Sequence, residues 1–113
     1  MPRGERLGEF EELVLLAVAR LDGEGYGVTV RREIQERALR APALGAVYAT
    51  LARLEQKGLL RSREGEKTPV RGGRARRHYS LSALGANALR AVRAAHERLW
   101  EGLELDGARR SSR

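Results

Sequence analysis

The stretch GEKTPVRGGRARRHYSL, residues 65–81, restricts the folds open to this chain more than any other segment. Gly65, Pro69, Gly72 and Gly73 are turn residues. After them Arg77, Tyr79 and Leu81 alternate with Arg76, His78 and Ser80, which is the period of a strand. Residues 59–64, just upstream, supply a second strand-like run. The pattern predicts a long hairpin whose tip and return strand are rich in arginine.

Everything else reads as helix. Residues 9–21 place Phe10, Leu13, Val14, Ala17, Val18 and Leu21 at helical spacing. Glu9, Glu11 and Glu12 fall in the first turn, where the helix dipole favours acids. Leu15 and Leu16 widen the apolar surface, so this helix is expected to be covered on more than one side, with a second subunit as the additional cover. DGEGYG, 22–27, ends it. A second helix over about 28–38 carries Val30, Ile34 and Ala38, and Pro42 marks the next break. A third, about 43–57, shows an apolar stripe of Leu44, Val47, Tyr48, Leu51 and Leu54. Ala46, Ala49, Thr50 and Arg53 are read as its outer face, and Gly58 as its stop. Ser82 is an N-cap candidate. A last helix over about 83–104 would be about 33 Å long. Its stripe of Leu84, Ala88, Val92, Ala95, Leu99 and Leu103 exceeds what so small a domain can cover alone. Residues 106–113 are expected to be a disordered tail.

Charge narrows the function. The 113 residues carry a formal net charge of +7. Residues 61–80 alone hold seven Lys/Arg against two acids. A concentrated charge of this kind indicates an anionic partner, nucleic acid or anionic membrane. The membrane reading lacks the basic amphipathic helix that would normally accompany it, and no apolar run approaches the roughly 20 residues of a bilayer span. MPRGERLGEFEELV has no signal-peptide core. With no cysteine in the chain, disulfides and thiolate metal sites are excluded, and a cytoplasmic location is expected. Two histidines give no metal pattern. No nucleophile–histidine–acid motif or P-loop occurs. GEGYG joins two helices rather than a strand and a helix, so it fails as a nucleotide loop. No enzymatic activity, cofactor or metal is expected.

Three helices, a hairpin and a final helix describe a winged helix-turn-helix. In GYGVTVRREI (25–34), LGAVYATLARLEQKGLLRS (44–62) and GGRARRHYSLSALG (72–85), in this order and spacing, the chain resembles the PadR-like family of bacterial transcriptional regulators. With the first helix, the resemblance covers residues 8 to 104. It is to the short members, with a single C-terminal helix. It implies a homodimeric repressor, with the third helix as recognition helix, the hairpin as wing, and the last helix packing on the first helix of a partner subunit. Tyr48 matches the family's recognition-helix tyrosine, Gly72, Gly73 and Arg74 the wing's glycine–arginine pattern, and Tyr79 the aromatic of the return strand. Thr50 stands where many members carry proline, and no Ser or Thr precedes Leu44. These departures leave the operator sequence open.

The expected fold class is mainly α with a small β-hairpin: a winged helix-turn-helix over 8–81, a dimerisation helix over 82–105 and a tail over 106–113. The candidate DNA-binding residues are Ala46, Tyr48, Ala49, Thr50, Arg53, Arg71, Gly73, Arg74 and Arg76. Small outer residues let a helix enter the major groove, while arginines meet phosphates or base edges. Neighbours on a strand alternate, so Arg76 and Arg77 cannot both face DNA. Tyr48 has two compatible readings, core packing and a phosphate contact. Leu13, Leu16, Val92, Leu99 and Leu103 are the candidate dimer residues. His96 and Trp100, one turn apart, read either as interface packing or as the site of a small hydrophobic effector between subunits. Double-stranded DNA and a second copy are the expected partners, with no membrane. The alternative is a winged-helix adaptor that holds proteins together without specific DNA binding.

Overall fold

The computed structural model describes residues 6–67 and 75–106. The elements run α1 (Glu9–Leu21), α2 (Gly27–Ala38), α3 (Leu44–Gln56), β1 (Leu60–Lys67), β2 (Ala75–Leu81) and α4 (Ala83–Trp100). This is the expected order. The tail beyond Asp106 and the wing-tip residues Arg71, Gly72, Gly73 and Arg74 lie outside the described residues.

Local chemistry sets each boundary. The Glu11 carboxylate accepts the orphan backbone N–H of Gly8 at 3.0 Å and so caps α1. Asp22 (φ 51°) and Gly23 (φ 87°) then turn the chain out of that helix. A Schellman motif closes α3: the Leu59 N–H reaches the Leu54 carbonyl at 3.0 Å, the Gly58 N–H reaches Glu55, also at 3.0 Å, and Gly58 has φ 81°. These bonds keep Leu59 in the helix cap, so β1 begins at Leu60 rather than Leu59. The strand also runs to Lys67, beyond the expected end at Glu64. It pairs antiparallel with β2 in the register Leu60↔Leu81, Ser62↔Tyr79 and Glu64↔Arg77, with an irregularity after Glu64.

The core is where the helical stripes and the hairpin base meet. Val14, Leu15, Val18, Val30, Val47, Leu51, Leu54 and Leu59 are fully buried, with Ile34, Leu60 and Tyr79 almost so. Each fully buried aliphatic side chain contributes about 1.5–3 kcal/mol, so this cluster holds α1, α2, α3 and the wing base as one body.

Ser82 starts α4 and locks it to the α3–β1 junction. Its hydroxyl accepts from the Gly85 N–H at 3.0 Å and donates to the Gly58 carbonyl at 2.6 Å. Gly85 packs so closely on the Leu59 carbonyl that a Cβ there would collide with it. Beyond this anchor, Ala88 and Leu89 rest on the core, and Gly85 is the only buried residue of the helix. The helix ends at Trp100, not near 104. Gly102 (φ 74°) takes a left-handed conformation, and the Leu103 N–H turns back to the Trp100 carbonyl at 2.9 Å. Leu103 therefore does not continue the helical stripe. No helix of the described residues is long and apolar enough to cross a membrane.

Candidate nucleic-acid interface

Recognition by a helix needs a slim outer face. On α3 that face consists of Gly45, Ala46, Ala49 and Ala52, all exposed, with Tyr48 and Arg53 beside them. One expected member is missing. Thr50 is only 3% exposed, whereas Tyr48, expected in the apolar stripe, is 49% exposed. Helical geometry explains the exchange. Val47, Thr50, Leu51 and Leu54 stand at i, i+3, i+4 and i+7, so Thr50 occupies a core position. Tyr48, at i+1 from Val47, lies about 100° around the helix. The expectation that Thr50 faces outward is corrected accordingly.

Arg53 is tied back to the body. Its Nε donates to Glu11 Oε2 at 3.1 Å and its Nη2 donates to the buried Thr50 hydroxyl at 3.3 Å. Lys57, one turn on, donates to the same Glu11 oxygen at 2.9 Å. Burial by itself pushes the Glu11 carboxyl up. The Gly8 N–H, Lys57 and Arg53 together outweigh that effect and hold it below the ordinary glutamate value of about 4.5. A charged carboxylate of α1 thus bridges to two cations on the last turn of α3. The side chain of Arg53 stays half exposed.

The tripeptide Gly25–Tyr26–Gly27 joins helices to wing. The Tyr79 N–H donates to the Gly25 carbonyl at 2.9 Å, adding a single bridge to the edge of the hairpin. A Cβ at Gly25 would come within 2.9 Å of Leu21 Cδ1. Tyr26 receives the guanidinium of Arg76 over its ring, with Cζ 4.4 Å from the centroid. His78 meets the same ring edge-on, with centroids 5.6 Å apart. Gly27 lies directly beneath the Tyr48 ring, and a Cβ there would run into it. Arg77, the other member of the alternating pair, is engaged by β1: Nη1 donates to Ser62 Oγ at 2.9 Å, and Glu64 lies 3.8 Å from Nη2. Of the two arginines of β2, Arg76 is thus the one stacked on Tyr26, whose neighbour Gly27 underlies the Tyr48 ring.

A second face lies between α1 and α2. Leu13, Leu16, Ala17, Ile34 and Ala38 line a groove of about 300 Å³, rimmed by Arg20, Glu33 and Arg37. Glu33 accepts from Arg20 Nε at 2.9 Å and from Arg37 Nε at 2.8 Å. These two bonds hold its carboxyl below the ordinary range. Of the residues expected at a dimer seam, Leu13 and Val92 are half-buried. Leu16 and Leu103 are exposed, and Leu99 is 79% exposed. His96 and Trp100 are exposed on α4.

The structure therefore leaves Ala46, Ala49 and Arg53 exposed on α3 and Arg76 exposed on β2, with Tyr48 exposed beside the outer face of α3 rather than in the apolar stripe. Sequence reasoning missed Glu11, Tyr26 and Gly27. From sequence alone Glu11 reads as an acid favoured by the helix dipole, and the glycines around Tyr26 as a helix stop and part of the family motif, with no site role for either. Both signals were visible: an acid among apolar neighbours at a helix start, and an aromatic residue between two glycines at a turn.

Among protein families, the model described as "Transcriptional regulator PadR-like family" matches residues 15–91. Among solved structures, the chain is similar to a PadR-like transcription factor from Bacteroides fragilis, with 25% identity, a TM-score of 0.69, and coverage of 81% of this chain and 84% of that one. A PadR family transcriptional regulator from Eggerthella lenta is 25% identical at a TM-score of 0.65, over 83% of this chain and 81% of that one. The structure of hsRosR in its S1 complex shares the fold at 22% identity and a TM-score of 0.69, over 86% and 79% of the two chains. No curated protein is significantly similar in sequence.

Proposed function

Because the chain belongs to the PadR-like family of transcriptional regulators, we propose that it is a homodimeric repressor that reads an inverted-repeat operator. Members of the family regulate transcription and are not enzymes, and DNA is their partner. The observation that carries the reading is the narrow outer face of α3, Gly45, Ala46, Ala49 and Ala52, flanked by Tyr48 and Arg53, with the wing's Arg76 stacked on Tyr26, the neighbour of the Gly27 that underlies the Tyr48 ring. Ala46 and Ala49 let the helix sit close to base edges. Arg53 contacts a base or phosphate. Tyr48 offers its hydroxyl to a phosphate. Arg76, with Arg71, Gly73 and Arg74 of the wing tip, neutralises the flanking backbone.

A second copy supplies the other half-site. The half-buried Val92 and the exposed Leu99 of α4, with Leu103, lie on the partner's α1–α2 groove at Leu13 and Leu16. This cover removes from water apolar surface that the lone chain leaves exposed. At the same seam, Trp100 and His96 receive a flat hydrophobic effector, whose binding changes the tilt between the two recognition helices and releases the operator. The site of action is the cytoplasm.

The test is selection of bound fragments from genomic DNA by the purified protein, followed by footprinting. The expected product is one protected inverted repeat whose half-sites are about one helical turn, 34–36 Å, apart. Enrichment of no common sequence would overturn the reading in favour of a protein–protein adaptor.

A further inference from the structure

Resting on the reading of α3 as the DNA-reading helix, we infer that Glu11 is a positioning residue that sets sequence discrimination through Arg53. Glu11 belongs to α1, outside the DNA-facing surface, and is 7% exposed. One carboxylate oxygen accepts from the Gly8 N–H. The other is shared by Arg53 and Lys57, at 3.1 and 2.9 Å. Arg53 is fixed at a second point, Thr50 Oγ1, and Thr50 is itself buried. Two of the three guanidinium nitrogens are thus committed to fixed acceptors. Among the described residues Nη1 makes no hydrogen bond, and the side chain is half exposed.

An arginine held at two points presents its remaining N–H edge in one direction. It can satisfy the particular base or phosphate that lies there. An arginine without these tethers neutralises whichever phosphate is nearest, which adds affinity without selectivity. Glu11 therefore acts twice. It fixes the direction of Arg53, and it offsets the charge of two cations that would otherwise attract any DNA. Loss of the carboxylate frees both cations, so affinity for arbitrary DNA and discrimination between sequences move in opposite directions. A residue that only stabilises the fold cannot produce that split.

The experiment uses the full chain, a duplex selected by the wild-type protein from a random pool, and a scramble of the same composition. Binding of both is measured across a salt series for wild type, E11Q, R53A and the double variant, with thermal melts to confirm folding. Glutamine retains an acceptor for Gly8 and nearly the same volume. E11Q is expected to bind the scramble as tightly as wild type or tighter, with the slope of log K against log salt steeper by about 1. Its selected-over-scramble ratio should fall about fivefold or more, the lower end of what one oriented arginine–base contact supplies. R53A should lower the ratio as well, and E11Q should lower it no further in the R53A background. T50V removes the second tether without changing charge. It should lower the ratio at unchanged slope, and it carries the test if E11Q fails to fold. Equal weakening of both duplexes at a constant ratio would overturn the inference, as would losses from E11Q and R53A that simply multiply. A wild-type protein that prefers no selected duplex would overturn the DNA-reading assignment itself, and the inference with it.

Discussion

The guanidinium of Arg76 lies over the ring of Tyr26, 4.4 Å from its centroid, so the return strand of the wing is braced on the loop between α1 and α2. This contact pins one wing arginine to the residue that precedes Gly27, against which the Tyr48 ring of α3 packs. Tyr26→Leu keeps an apolar side chain but removes the ring face. It should weaken binding to an operator duplex by about 0.5–1 kcal/mol, or two- to fivefold, because Arg76 must then be ordered during binding. Tyr26→Phe should bind within error of wild type. Fluorescence anisotropy on a labelled duplex checks both.

Gly27 determines where Tyr48 sits. A methyl group at position 27 would occupy the space of the Tyr48 ring. Gly27→Ala should therefore push Tyr48 off its site, at a stability cost of about 1–3 kcal/mol typical of overpacking. DNA affinity should fall beyond the change seen for Tyr48→Phe. Urea denaturation and anisotropy, run on the same samples, separate the two effects.

The Glu11 carboxyl lies below its ordinary value of about 4.5 in the folded chain. A depressed folded pKa gives stability that is fully present above the unfolded value and is lost as pH falls through the folded one. The urea midpoint should accordingly drop below about pH 4.5, and the deficit of E11Q relative to wild type should be largest at neutral pH and shrink in acid. A deficit that is constant from pH 7 to pH 3 would contradict the role given to the charge. Glu33, lowered by Arg20 and Arg37, adds an acid limb of the same sign in both proteins.

The proposed dimerisation through α4 has an intrinsic reporter, since Trp100 is the only tryptophan. It is exposed in the single chain, so its emission should shift to the blue as concentration rises and a partner covers it. Leu99→Glu should abolish the concentration dependence and give a monomer in sedimentation. Its urea midpoint should stay near wild type measured at low concentration, because Leu99 touches little of its own chain.

Much of this architecture was legible because period and punctuation agree. The helical stripes, the glycines at 23 and 58, the Ser82 cap and the alternation of 76–81 each fix one boundary by local physics. Where the reading failed, long-range contacts decided. Thr50 is polar, and polarity suggested an outer position, but its helical phase with Val47, Leu51 and Leu54 places it inside. Glu11 and Arg53 are 42 residues apart, so no local pattern announces their bond. At the end of α4, Leu103 extends the apolar stripe while Gly102 breaks the backbone, and the backbone prevails.

The central claim, that a slim helix and a basic wing read DNA sequence together, is tested most directly by equilibrium binding of the wild-type protein to its selected duplex and to a scramble across a salt series. The account predicts a selected-over-scramble ratio of roughly a thousandfold or more. The salt slope should indicate several neutralised phosphates and fall in Arg76→Ala by about 0.9. Equal, weak binding to both duplexes, with a slope unmoved by Arg76→Ala, would contradict it.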